Sequence, residues 1–244
     1  MCAMASYSPS LRVASLNVWG TFAHWPQRLQ VLAKLAPSLS VDILLCQEVC
    51  RGGKTDQLSD IAEAFNFPHR AYYAAKNVDG LEEGVAIFSH LPLEEVERID
   101  LGDGRPLLTA QVVLNGSSLR VEVAHISFQD PHQSLQVRRV LNHGDGPALL
   151  GADFNGTSDI FPREMDWLLG DDTQVTWPAC DAEVFKSAWL EQVGYPFDWS
   201  LEPKRLDHIM ARDMVFTNQQ TMMLEFDGVA AADHALISAD VSFA

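Results

Sequence analysis

The sequence predicts an α/β protein built on two mixed β-sheets packed face to face, with helices outside. Three observations predict it. The chain opens strand, helix, strand, helix, with near-continuous apolar strands of the kind that are covered on both faces. It then gives way to consecutive strands separated by hairpin turn signals. Finally, crossover units and hairpins sit in one chain without a linker, charge run or low-complexity tract between them, which favours one domain over 11–244 after a frayed polar lead over 1–10.

In order, Leu11 to Val18 alternates as a strand and ends at the turn Trp19-Gly20. Pro26 suits the first turn of a helix whose Leu29, Leu32, Leu35 and Ala36 recur at helical spacing, with Pro37 predicted to stop it. Val41 to Val49 is a second apolar strand carrying Glu48 near its end, and Thr55 to Phe65 a second helix with Leu58, Ile61, Ala62 and Phe65 on one face. Strands follow near His69 to Ala74, Gly84 to Ser89, Leu93 to Asp100, Leu107 to Leu114 and Leu119 to His125, with Asn115-Gly116 as a two-residue hairpin turn. A helix at His132 to Leu141 leads to the strand Ala148 to Asp153, and a shorter helix is expected near Pro162 to Leu169. The stretch Thr173 to Ser200 reads as loop-rich, and three strands close the chain at Arg205 to Ala211, Val215 to Phe226 and Ala235 to Phe243.

Composition excludes several classes. With 47% hydrophobic and 20% charged residues the chain reads as a soluble globular protein. No segment reaches the roughly 18 uninterrupted apolar residues of a membrane span. Met1 to Ser10 lacks the basic start and apolar core of a signal peptide, so a cytoplasmic location is the expectation. The cysteines Cys2, Cys46, Cys50 and Cys180 form no CxxC pair, which argues against a disulfide framework or a zinc site. The net charge of -16 repels a polyanionic partner unless basic residues or bound cations intervene locally.

Polar residues recur at strand ends: Asn17, Glu48, His125, Asp153, Asn155, Asp207 and the adjacent Asp233-His234. Asp153 and Asn155, two apart, point the same way if the backbone there is extended, a pair suited to holding and activating a water; the alternative is an Asx-type turn. Carboxylate and amide oxygens together point to a hard cation, Mg²⁺ or Mn²⁺, and to hydrolysis.

The order and spacing of LNVWG at 16–20, DILLCQEV at 42–49, GVAIFSHLPL at 84–93, HI at 125–126, GADFN at 151–155, RLDHI at 205–209 and ADH at 232–234 resemble the endonuclease/exonuclease/phosphatase superfamily of metal-dependent phosphoester hydrolases. The resemblance covers nearly the whole chain and implies a four-layer α/β sandwich with the site at the edge of its two sheets. It further implies that Glu48 is the main metal ligand, with Asn17 and Asp233 near the same ion. By the same similarity Asp153 orients or deprotonates the attacking water, and Asn155 positions water and phosphate. His234, paired with Asp207, would bind the phosphoryl oxygens, and His125 would add a phosphate contact.

Departures bear on the substrate. Many apurinic-site endonucleases of the superfamily carry an acidic residue where this chain has Trp19 and a lysine where it has Val49, and Ala232 stands where many members have serine. The LNVWG form looks closer to sphingomyelinase-like and general phosphodiesterase branches. Thr176-Trp177-Pro178 followed by Arg205-Leu206-Asp207 resembles the substrate-side loop and strand of sphingomyelinase-like and tyrosyl-DNA phosphodiesterase-like relatives. Trp177, Trp189 and Trp199 either stack a base or lipid edge or fill a satellite core, and Arg205 either meets a substrate phosphate or forms a structural ion pair. Arg51 and Lys54 are the nearest basic residues after the Glu48 strand.

The expected function is therefore a Mg²⁺- or Mn²⁺-dependent phosphodiesterase or phosphatase using direct water attack. The substrate is a small molecule, a lipid headgroup or nucleic acid, and no obligate protein partner is expected. The alternatives are a nuclease acting on DNA or RNA and a catalytically silent binding protein of the same fold.

Overall fold

A computed structural model describes residues 10–78, 80–156 and 206–244. Among them, β1 (Leu11–Asn17), β2 (Ile43–Gly52), β3 (Thr55–Asp56), β4 (His69–Val78), β5 (Leu81–Ser89), β11 (Met214–Met222) and β14 (Leu236–Phe243) form one sheet, ordered β11-β14-β1-β2-β5-β4 with β3 beside β2. The second sheet runs β10-β9-β8-β7-β6, from β6 (Glu94–Asp100), β7 (Pro106–Leu114), β8 (Ser117–His125), β9 (Ala148–Asp153) and β10 (Asp207–Arg212). Both are mixed: β1 pairs parallel with β2 and antiparallel with β14, and β8 pairs parallel with β9 and antiparallel with β7.

Three apolar clusters separate four layers, and strand alternation explains them. In β2, Ile43 and Leu45 face the second sheet, meeting Val121, Val123, Leu149 and Ile209. Leu44 and Cys46 face the other way, against Val31 and Leu32 of α1 (Trp25–Leu39) and Ile61 and Phe65 of α2 (Gln57–Phe65). On the far side of the second sheet, Ala124, Leu150, Ala152 and Met210 pack on Val137 and Val140 of α3 (His132–Leu141). Each strand read as continuously apolar is thus buried on both faces. Where the sheets approach, a Cβ on Gly151 would lie 2.6 Å from Leu45 Cδ1 and 3.1 Å from Ser15 Oγ, so a larger residue there would force Leu45 to shift.

The structure departs from the sequence expectation at several points, among them the ends of β2, at Gly52, and of β4, at Val78, which run further than expected. Pro37 does not stop α1; it sits in the last turn, where its missing N–H forfeits only one bond near the helix end, and the chain leaves through Ser40 at φ 50°. Thr55–Asp56 pairs with β2, so α2 begins at Gln57 with Asp56 as its N-cap, accepting the Ser59 N–H at 3.3 Å. The strand expected over Val215 to Phe226 ends at Met222 and is followed by a small hairpin of β12 (Glu225–Phe226) and β13 (Val229–Ala230). Its turn is Asp227-Gly228, both at positive φ, a hairpin signal the sequence does carry. The backbone after Asp153 is not extended, since Asn155 stands at φ 50°. The helix expected near Pro162 to Leu169 and the loop-rich stretch lie outside the described residues. No helix among the described residues is long and apolar enough to cross a membrane.

Candidate metal-dependent hydrolytic site

The faces that form the core between the sheets turn polar at one edge of the molecule. In β1, Val13 packs between the sheets, Ser15 approaches Gly151, and Asn17 is next on the same face. In the second sheet Val121 and Val123 give way to His125, Leu149 and Gly151 to Asp153, and Ala211 and Ile209 to Asp207. His125, Asp153 and Asp207 stand directly opposite one another on β8, β9 and β10, a row across three strands.

Glu48 reaches this edge by a different device. By alternation it belongs with Leu44 and Cys46 on the helix-facing side of β2. Between Cys46 and Val49 the pairing with β5 slips by one residue, and Glu48 takes a left-handed conformation at φ 58°. The bulge lets Val49 resume the helix-facing side and delivers Glu48 to the edge. Gly84 is the partner of Val49, and a Cβ there would lie 1.9 Å from the Tyr73 carbonyl oxygen.

Asn17 joins the two sheets. Its Nδ2 donates to Glu48 Oε1 and to Asp153 Oδ2, both at 3.0 Å, and its Oδ1 accepts the Trp19 N–H at 2.9 Å. Asp153 Oδ1 accepts the Asn155 N–H at 2.8 Å, so the Asx turn is real and coexists with the polar cluster. Asn155 Nδ2 donates to the Ile126 carbonyl at 2.9 Å and lies 3.1 Å from His125 Nε2, which makes that nitrogen an acceptor and the ring neutral. His234, just before β14, places Nδ1 2.6 Å from Asp207 Oδ2, leaving Nε2 4.0 Å from Asp233 Oδ1.

The electrostatics follow from crowding carboxylates in a dry edge. Burial, then the charge of Asp233, pushes Glu48 up to about 7; burial, then Asp207, pushes Asp153 up to about 6. Burial, then Arg105 and Lys76, holds His125 well below the usual histidine range, consistent with its neutral ring. Carboxyls raised in this way by neighbouring carboxylates make a fitting receptor for a cation. Glu48, His125 and Asp153 can bring one donor atom each within 4.8 Å of one another, as can Asp153, Asp207 and His234. Oxygen donors predominate, which suits Mg²⁺ or Mn²⁺ better than zinc.

A family profile for the endonuclease/exonuclease/phosphatase family matches residues 14–234. The chain belongs to this family. Its members hydrolyse phosphoester bonds with divalent metals. Among solved structures, an endonuclease/exonuclease/phosphatase protein from Bacteroides vulgatus is similar with TM-score 0.73 at 13% identity, over 97% of this chain and 100% of the other. TDP2 from D. rerio, complexed with a single-strand DNA product, is similar with TM-score 0.71 at 15% identity, over 96% and 99%. A family protein from Beutenbergia cavernae gives TM-score 0.68 at 20% identity, over 96% and 72%. These likenesses establish the shared fold. No match emerges among curated proteins compared by sequence.

Within this endonuclease/exonuclease/phosphatase fold, Asn17, Glu48, His125, Asp153, Asn155, Asp207, Asp233 and His234 lie at the same edge. Trp177 and Arg205 lie outside the described residues. Arg51 pairs with Asp56 at 3.4 Å and sits over the Tyr72 ring, a surface arrangement. Sequence reasoning missed a set of buried polar side chains that fasten the site loops from the helices behind them. Arg28 of α1 donates to the carbonyls of Val18, Gly20 and Ala231, and Gln57 of α2 to that of Gly20. Gln133 of α3 donates to the carbonyls of Phe154 and Asn155, while Gln136 accepts the Ser127 N–H and donates to Gly102. Their signal is positional: Arg28 falls on the core-facing stripe with Trp25, Val31 and Leu32, where a charge has no place without partners.

Proposed function

We propose that this chain is a Mg²⁺- or Mn²⁺-dependent phosphodiesterase or phosphatase that attacks its substrate directly with water, without a covalent enzyme intermediate. The observation that carries the reading is the Asn17 amide bonded at once to Glu48 and Asp153, which locks the metal-facing and water-facing carboxylates into one unit. A divalent cation held by Glu48 and Asp233 would neutralise charge on the phosphoryl and leaving oxygens. Asn17, expected from the resemblance to be a ligand, turns Nδ2 rather than its oxygen toward the carboxylates; its role here is to hold them.

Asp153 accepts the proton of the attacking water, and a carboxylate raised to about 6 is a better base near neutral pH than an ordinary one. Asn155 positions water and phosphate. His234, its Nδ1 fixed by Asp207, presents Nε2 to a phosphoryl oxygen. His125 touches phosphate only as the opposite tautomer, with its proton on Nε2 rather than Nδ1. The free, buried thiols of Cys46 and Cys50 suit the reducing cytoplasm.

Purified protein should cleave bis(p-nitrophenyl) phosphate with Mg²⁺ or Mn²⁺ and stop in EDTA. Asp153→Asn should lower turnover by about 10²-fold or more. Turnover that survives chelation, or an Asp153→Asn variant as active as wild type, overturns the reading; tight binding of a substrate analogue without turnover points to a silent binding protein. A nucleic-acid substrate is the second reading, favoured by the positive charge of Arg105 near His125; Lys76, the other nearby cation, is paired with Glu83 at 2.6 Å. This second reading predicts cleavage of a single-stranded oligonucleotide that weakens in Arg105→Ala, with bis(p-nitrophenyl) phosphate turnover kept.

A further inference from the structure

Arg28 is fully buried and carries no carboxylate within ion-pair distance among the described residues. Its fork is spent on main-chain carbonyls: Nη1 donates to Val18 at 2.6 Å and Ala231 at 3.0 Å, and Nη2 to Gly20 at 2.6 Å and Trp19 at 3.4 Å. Those carbonyls belong to two separate segments, the exit of β1 beyond Asn17 and the approach to Asp233-His234. The guanidinium also lies 5.3 Å from the Trp19 ring centroid and 5.0 Å from that of Trp25, within cation–π range of both.

Gln57, also fully buried, adds a third segment. Its Oε1 accepts the Cys50 N–H at 2.8 Å, two residues beyond Glu48, and its Nε2 donates to the same Gly20 carbonyl at 2.6 Å. The Gly20 oxygen therefore receives one donor from each of two helices and joins the segments carrying Asn17, Glu48 and Asp233.

We propose that Arg28 and Gln57 are positioning residues for the metal side of the site, acting together through the Gly20 carbonyl oxygen. The proposal rests on the metal-dependent reading above. A lysine at 28 keeps the charge but presents one point donor, which cannot span carbonyls of two segments as a planar fork does. Partners that orient metal ligands typically govern metal affinity by about 10- to 100-fold.

The test is Mn²⁺ binding to the full chain, by calorimetry or by the electron spin resonance of free Mn²⁺, for wild type, Arg28→Lys, Gln57→Leu and the double variant. Each single variant should bind Mn²⁺ on the order of tenfold more weakly. The double variant should lose less than the product of the two, because both act through one oxygen. Turnover of the variants should shift to higher Mn²⁺ and recover substantially at saturation.

Arg120→Lys is the structural control. Arg120 also serves carbonyls, those of His143 and Asp145 at 2.7 and 2.8 Å, but beside the opposite end of β9. It should lower thermal stability and leave Mn²⁺ affinity unchanged. Arg28 and Gln57 variants that match wild-type Mn²⁺ affinity while losing stability as Arg120→Lys does overturn the proposal, and Gln57→Leu alone decides it if Arg28→Lys does not fold. A wild-type protein that takes up no Mn²⁺ overturns the metal reading and the clamp with it.

Discussion

Glu48 and Asp153 are carboxyls whose folded environment favours the proton, and that preference has a sign. Both bind protons more tightly folded than unfolded, since burial and neighbouring acids lift them from 4.5 to about 7 and from 3.8 to about 6. Their contribution to stability is therefore fully present below about pH 4 and lost as pH rises through about 6 to 7. In EDTA, the thermal midpoint from this source should fall across that window. Mn²⁺ should raise the midpoint more at pH 7.5 than at pH 5, because only ionised carboxylates offer the ion their full charge. Thermal melts at both pH values, with and without Mn²⁺, check this; an equal Mn²⁺ effect at the two pH values contradicts it. These two residues were legible in sequence because a carboxylate closing an apolar strand is conspicuous. Their mutual electrostatics were not, because Asp207 and Asp233 approach them from segments far away in the chain.

At the scale of elements, alternation brings Asn17, His125, Asp153 and Asp207 to the edge, and a bulge brings Glu48. Period-two reading recovers the first group, since each lies on the strand face that packs between the sheets. Glu48 cannot be recovered that way; on an unbroken strand it would face α1 and α2. Opposite Val49, where the bulge ends, Gly84 admits the close approach of β4, because a methyl there meets the Tyr73 carbonyl oxygen at 1.9 Å and the Ala74 Cα at 2.9 Å. Gly84→Ala should cost about 3 kcal/mol or more, measured by denaturant unfolding; a variant as stable as wild type would show that β4 and β5 yield easily. Behind the second sheet, Gln133 holds the Phe154 and Asn155 carbonyls. Gln133→Leu should lower turnover by about tenfold, by letting the Asn155 turn drift, with Mn²⁺ affinity kept. Kinetics beside calorimetry would separate the two effects. These glutamines escaped sequence reading because a polar residue in a helix reads as solvated until the loop it serves is in place.

For the whole molecule, the four layers were legible because apolar strands alternate with amphipathic helices in a fixed order. Strand order was not, since β1 lies between β2 and β14, and periodicity says nothing about which strands become neighbours. The charge of -16 makes a further prediction. Against a polyanionic oligonucleotide, kcat/KM should rise between about 0.01 M and 0.15 M salt, as the screening length shrinks from about 30 Å to about 8 Å and repulsion fades. Turnover of the singly charged bis(p-nitrophenyl) phosphate should change little. A fall for the oligonucleotide would reveal a locally positive approach and favour the nuclease reading. The pairing of β1 with β14, sealed by Arg12 to Asp240 across 228 residues, also sets a timetable. On the ribosome, β1 must wait for β14 to emerge before its open flank is covered, and His234 arrives just ahead of that strand. The nascent chain thus stays without a complete site until Asp233-His234 and β14 have been made, with an apolar strand edge that chaperones would have to shield.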